Sequence, residues 1–244
     1  MTVESDNDVV GLQRAGRVVA EAREAMLAAV APGVTTAELD AIGRGVLARH
    51  GANPAPPTRG FPAATCISVN DEAAHGIPGR RVLADGDLVN VDVSAELDGY
   101  WADTGASRGV GTIAPDDARL LTATRLANRD AVAAARAGRP LRHIGRAVER
   151  CARRGGFSVL RNLQGHGTGR DLWEPPSVPG VEADADRTVL WEGLVLAIEP
   201  FLTTGATWAH EAADGWTLRT PGHRSAQFEH TVIVTRGAPI VLTA

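Results

Sequence analysis

Between residues 88 and 95 apolar and polar positions alternate strictly. Val89, Val91, Val93 and Ala95 point one way; Leu88, Asn90, Asp92 and Ser94 point the other. That two-residue period predicts a strand. Asp98-Gly99 follows, the dipeptide best suited to a two-residue hairpin, whose central residues need positive φ. With these two as the turn, Leu97 faces Tyr100, Ser94 faces Asp103 and Asp92 faces Gly105. Asp92 and Asp103 then lie diagonally on one face, with Cα atoms roughly 7–8 Å apart. Two carboxylates held so close repel each other unless a cation sits between them. Aspartates beside a hairpin are often merely solvated, but Asp92 is embedded among valines, where an unpaired charge is costly to bury.

Helical periodicity marks residues 8–30, stopped by Pro32-Gly33. Thr35-Thr36-Ala37-Glu38 has the form of a capping box and opens a second helix, which Gly51 closes. Residues 1–6 are expected to be disordered, and 53–62, rich in Pro and Gly, to be a loop. A strand is expected over 65–69, a helix from Ala114-Pro115-Asp116-Asp117 to about 137, and another over 141–154. Further strands are expected at 159–163, 194–198, 216–219, 226–234 and 239–242, with a loop region over 165–180. Residues 28–52 resemble 133–157 at a constant offset: Ala28/Ala133, Gly33/Gly138, Arg49/Arg154 and Gly51/Gly156 are identical. Both copies read as helix, Gly turn, helix, then strands. The expectation is an α+β chain of one domain, 1–244, in two related halves of roughly 7–112 and 113–244. Their strands form a central sheet with the helix pairs outside.

A chain of 244 residues, 44% hydrophobic and 22% charged, has the composition of an ordinary globular protein. Net charge is −4, all 25 basic residues are arginine, and no basic block is present. Nucleic acid is therefore not expected as a partner. Cys66 and Cys151 form no CxxC pair, which suits a reducing cytosol better than a disulfide framework. The polar start lacks a signal-peptide core and no apolar run reaches membrane-spanning length, so a cytoplasmic protein with no membrane contact is expected.

Three further segments offer ligands. His166 is flanked by glycines in Gly165-His166-Gly167-Thr168-Gly169, a pattern that also suits a phosphate loop or a surface turn. Glu199 ends the apolar run 194–198 before Pro200, and Glu229 lies inside the apolar run 226–234, where an unpartnered carboxylate is expensive. Four carboxylates and one imidazole suit Mn, Fe, Co or Zn better than the cysteine sets of structural zinc do. They carry more charge than one divalent ion needs, and two ions sharing bridging carboxylates would balance it.

Taken in order, Cys66-Ile67-Ser68-Val69-Asn70-Asp71-Glu72, His75-Gly76-Ile77-Pro78, Asp92-Val93, Ala102-Asp103-Thr104, Gly165-His166-Gly167-Thr168-Gly169-Arg170, Ile198-Glu199-Pro200, Asp214-Gly215-Trp216 and Ser225-Ala226-Gln227-Phe228-Glu229-His230-Thr231 resemble the type I methionine aminopeptidases of the pita-bread metallopeptidase superfamily. The match runs from the first helix to the end of the chain. The resemblance implies a pita-bread fold and two divalent metal ions (Co, Mn, Fe or Zn). Asp92 would chelate one, Asp103 and Glu229 would bridge both, and His166 and Glu199 would hold the other. Glu199 would also be the general base, and His75 would hydrogen-bond the scissile amide region. Phe61, Cys66, Leu172, Phe201 and Trp216 would line the pocket for the first side chain, although Trp216 reads nearly as well as a plain core aromatic. The partners would be peptide or nascent-protein N-termini, with ribosome contact left open and a monomer as the default.

Two segments depart from the family. Trp173 stands where a second, substrate-contacting histidine is expected, and Thr58-Arg59-Gly60-Phe61 replaces an aromatic-His-Gly-aromatic pattern. An indole offers only an N–H donor and no titratable group. Three readings therefore stand side by side: a methionine aminopeptidase with an altered substrate shell, a two-metal peptidase or amidase of the same fold with another substrate, and a non-catalytic peptide-binding protein.

Overall fold

The structure is a computed structural model and describes residues 1–183 and 185–244. Ser5 and Thr35 open the first two helices. At each, the cap hydroxyl accepts from the amide three residues on, and the acid there accepts from the cap amide. The exchange satisfies donors that a helix start leaves orphaned. Helix α1 spans Asp6–Ala28 and α2 spans Thr36–Arg49. Helix α3, Pro115–Ala134, has no side-chain cap and starts on a proline, whose missing N–H costs nothing at that position. Helix α4 covers Arg142–Gly155 and stops at Gly156, which is left-handed with φ 77°.

The long hairpin has the expected register. Strands Leu88–Leu97 and Tyr100–Gly109 pair with Leu97 opposite Tyr100, Ser94 opposite Asp103 and Asp92 opposite Gly105. Asp98 and Gly99 both carry positive φ, 52° and 81°, as a primed two-residue turn requires. Cys66–Val69 and Asn53–Pro54 pair with the other edge of Leu88–Leu97. A second, wholly antiparallel sheet runs in the spatial order Ile240–Val241, His230–Ile233, Val195–Ile198, Gln164–Gly167, Glu174–Pro179. The two sheets meet along the hairpin's outer edge. There the Glu229 amide donates to the Gly105 carbonyl at 2.8 Å, and the Thr231 hydroxyl bonds both backbone groups of Asp103.

Helix α1 packs on the hairpin of the first sheet, with α2 beside it, so that Val19, Ala22 and Met26 of α1 and Leu39, Val46 and Leu47 of α2 share one core with Val89, Val91 and Val93. Helices α3 and α4 cover the second, packing Leu120, Ile144 and Val148 against Leu196, Ile198 and Val232. The alternation in 88–95 thus separates a valine face turned to the helices from a face carrying Asn90, Asp92 and Ser94. The latter is buried too, apart from the partly exposed Asp92.

Four expectations need correction. Residues 1–6 are not disordered: Thr2 bridges to Leu194, the Val3 amide donates to Gly193, and Met1 and Val3 pack on Leu12 and Val195. Backbone pairing to a sheet edge leaves no mark in side-chain polarity. The supposed loop over 165–180 holds the strands Gln164–Gly167 and Glu174–Pro179. Gly165 and Gly167 serve close approach rather than turning, since a Cβ on Gly165 would lie 2.2 Å from the Ala197 carbonyl oxygen. The strand expected at 159–163 is only Ser158–Val159. The run 226–234 is two strands, Ser225–Gln227 and His230–Ile233, broken where Glu229 turns to the hairpin.

Candidate metal centre

Asp92 and Asp103 project from adjacent strands of the hairpin, and the other three ligand candidates come from the second sheet. His166 lies on Gln164–Gly167, Glu199 follows Val195–Ile198, and Glu229 sits in the break before His230–Ile233. Ligand atoms of Asp103, His166 and Glu229 all lie within 4.8 Å of one another. The His166 Nε2 is 3.7 Å from both Asp103 Oδ2 and Glu199 Oε1. Asp92 faces the same cavity, and its carboxyl and that of Asp103 act on each other. Residues 137 positions apart in sequence thus share one site, joined where the two sheets meet.

The electrostatics describe a site built for positive charge. Burial, then the neighbouring carboxylates, raises Asp103, Glu199 and Glu229 well above the ordinary carboxylate range. Burial also raises Asp92 to about 6. Asp103 Oδ1 and Glu229 Oε1 are buried with no hydrogen-bond partner, which is costly for a carboxylate facing only protein. Burial lowers the pKa of His166, so its ring is neutral. Its Nδ1 lies 2.9 Å from the Gly167 carbonyl; a carbonyl only accepts, so Nδ1 holds the proton and Nε2 turns a lone pair toward the acids. Glu229 is held in turn: its Oε2 accepts from Gln227 Nε2 at 3.1 Å, and Gln227 Oε1 accepts from Asn90 Nδ2 at 2.8 Å. Orphaned carboxylate oxygens beside a neutral, oriented imidazole fit divalent cations.

Asp92, Asp103 and Glu199 open into a cavity of about 70 Å³. Of the residues expected around the first side chain, Phe61, Cys66, Leu172 and Trp216 line it, as do His75 and Trp173. Phe61 meets Trp216 edge to face at 5.3 Å, so Trp216 belongs to the pocket wall and not merely to the core. Burial lowers the pKa of His75 and keeps its imidazole neutral. Phe201 is a correction: it is 3% exposed and packs with Leu160, Leu163 and Ala209 in a separate small core. Pro200 interrupts the chain between Val195–Ile198 and Phe201–Thr203, so the strand period that would carry Phe201 to the side of Glu199 does not persist. Arg59, whose segment was expected at the pocket rim, lines the cavity, and Pro56 and Ser94 line it without having been expected there. Ser94 was within reach, being two residues from Asp92 on the same face of the strand. Asn90 and Gln227 were also missed as supports of Glu229. Their signal was an amide buried in an apolar run, which says that a partner exists but not which one.

The description of metallopeptidase family M24 matches residues 10–236. Methionine aminopeptidase 2 of Bacillus subtilis (strain 168) is 44% identical over 247 positions, covering 100% of this chain and 99% of that protein. Among solved structures, methionine aminopeptidase from Rickettsia prowazekii superposes with a TM-score of 0.95 at 33% identity, covering 100% of each chain. That from Thermotoga maritima gives 0.96 at 31% identity, covering 100% of this chain and 99% of the other. The antiparallel sheets with outer helix pairs are therefore the α+β pita-bread fold. With its acids and imidazole gathered between the two sheets, the chain belongs to metallopeptidase family M24.

Proposed function

We propose that this protein is a metal-dependent methionine aminopeptidase, removing the first methionine from peptides and newly made proteins. The observation that carries the proposal is the pair of buried, unsatisfied oxygens on Asp103 and Glu229 beside the neutral His166. Asp92, Asp103, His166, Glu199 and Glu229 are the residues that would hold two divalent ions. When bound, such ions supply Lewis acidity and bring a water's pKa toward neutrality.

The chain's own groups divide the remaining work. Glu199, its pKa raised by burial and by Asp103 and Asp92, takes a proton from the attacking water and returns it to the leaving amine. His75, neutral and set on the cavity wall by a backbone with φ 54°, hydrogen-bonds the scissile amide as charge develops on it. Phe61, Cys66, Leu172 and Trp216 enclose the first side chain, a soft lining that suits a thioether against ring edges. The cavity, about 70 Å³, has room for a single side chain. Taking the chain as one domain in two related halves is part of this reading. The succession of helix pair and strands on either side of residue 113 supports it.

A metal-stripped preparation assayed on Met-Ala-Ser and a panel of X-Ala-Ser peptides, with Mn, Co or Fe restored, tests the proposal. Activity should return with metal and favour methionine over leucine by about tenfold or more. Glu199→Gln should lower kcat by about a hundredfold or more. Equal rates with and without metal, or no methionyl hydrolysis at all, would rule the proposal out.

A further inference from the structure

Behind the metal centre, on the side covered by helices, a groove of about 490 Å³ runs between α1 and α3. Its floor is the hairpin strand from Gly105 to Gly109 together with Phe228, whose backbone bridges to Ala106. Side chains alternate along a strand. Thr104, Ala106 and Arg108 face α1, the first bonded to Arg23, the second packed in the first core and the third bonded to Leu27. Asp103 faces the other way, toward the acids. Groove and metal centre are therefore back to back on one strand, and among the described residues none lines both.

Three arginines line the groove, and their partners differ. Arg23 is 6% exposed, and its Nε and Nη2 donate to Glu24 at 3.0 and 2.8 Å. Glu24 is the only acid among the described lining residues, so this pair cancels its own charge. Arg108 donates from Nη1 to the Leu27 carbonyl at 2.9 Å, close to the end of α1. Arg125 stands on α3, its guanidinium carbon 4.9 Å from the centre of the Phe228 ring. Among the described residues neither Arg108 nor Arg125 forms an ion pair. Each is held by a neutral partner, a carbonyl or a ring face, and keeps its charge uncompensated. The chain as a whole carries −4, so two unmatched cations in one groove run against the balance of the molecule. A cleft lined by one sign of charge focuses its field on ions of the other sign.

The volume falls within the roughly 300–1,000 Å³ of small-molecule sites. Two guanidiniums match the charge of a phosphate monoester, about −1.5 to −2 at neutral pH, and each offers a fork of donors to its oxygens. Leu27, Ala106 and Leu121 give the groove apolar wall beside them. We propose that this groove is a second ligand site, taking a small organic phosphate monoester between Arg108 and Arg125 with its organic part against that wall. It goes beyond the aminopeptidase reading and does not rest on it.

Calorimetric titration of the metal-loaded protein with adenosine monophosphate (AMP), adenosine and inorganic phosphate is the test. AMP should bind once per chain with a submillimolar Kd, and adenosine should not bind measurably, because the arginines grip the phosphate. Inorganic phosphate should bind about tenfold more weakly than AMP, having nothing to set against the apolar wall. Arg108→Gln and Arg125→Gln should each weaken AMP about tenfold or more, and the double variant should not bind it, with circular dichroism confirming the fold of each. Arg125→Gln removes no hydrogen bond seen in the structure, so it decides the matter if Arg108→Gln perturbs folding. Stripping the metal should change AMP affinity by less than about threefold, since the two sites open on opposite faces of the strand. No AMP binding, undiminished binding by the double variant, or binding that requires metal overturns the proposal. Inorganic phosphate binding as tightly as AMP overturns the assignment of an organic ester.

Discussion

Asp92 shows how much one side chain's position can set. Its carboxyl is raised from the ordinary 3.8 to about 6, chiefly by burial. A group whose folded pKa is raised stabilises the fold below its unfolded pKa, and that contribution is lost as pH rises through the folded value. In metal-free protein the loss therefore falls between about pH 4 and pH 6. Asp92→Asn has no carboxylate to ionise. Its stability relative to wild type, measured by thermal melting in chelator, should accordingly improve by an order of 1–3 kcal/mol between pH 4 and pH 7. A difference that stays constant with pH would show that Asp92 is not strained by its surroundings. At this scale the sequence was informative. A charge among valines says that something compensates it, and all five ligand candidates were named from such contexts or from family motifs. Arg59 was visible only as an oddity, because nothing in a linear chain says that it will meet residues 112 positions away.

The hairpin is the element in which local signals and final geometry agree most closely. Turn chemistry at Asp98-Gly99 sets the register, and the register places Asp92 and Asp103 as diagonal neighbours. Gly105, opposite Asp92, has a less obvious role. A Cβ there would lie 2.1 Å from Gln227 Oε1, the atom through which Asn90 steadies the support of Glu229. Gly105→Ala should displace the Gln227 carboxamide and cost about 1–3 kcal/mol of stability. Metal affinity, read by calorimetry, should weaken by about 10–100-fold. Unchanged affinity would remove Gln227 from the support of the site. The glycines at 165 and 167 carry the opposite lesson. They looked like turn formers and are strand residues pressed against neighbouring backbone, a distinction that only the partner strand supplies.

For the whole molecule, the candidate ligands join two sheets: Asp92 and Asp103 come from the hairpin, His166 from a strand of the five-stranded sheet, and Glu199 and Glu229 from the ends of its strands. Divalent ions held there would tie one sheet to the other and bind the folded state alone. Binding at a thousandfold excess over Kd adds about 4 kcal/mol, which for a chain of this size is roughly a 10 °C rise in Tm. Manganese or cobalt added to stripped protein should produce a rise of that order, and Asp103→Asn should abolish most of it. A Tm indifferent to metal would contradict a site shared between the sheets. By itself the sequence determined the helices, the capping box at Thr35, the hairpin and its register, and the residue types able to hold metal. These depend on neighbours a few positions apart, and on the cost of burying charge in apolar segments. Tertiary structure alone decided that Phe201 turns away into a separate core, that residues 1–6 pair with a sheet edge, and that Arg59 meets Asp171 and Trp173 over the cavity mouth. Those outcomes depend on which distant surfaces come together, and contact between remote segments is set by the packing of the whole chain rather than by any local preference.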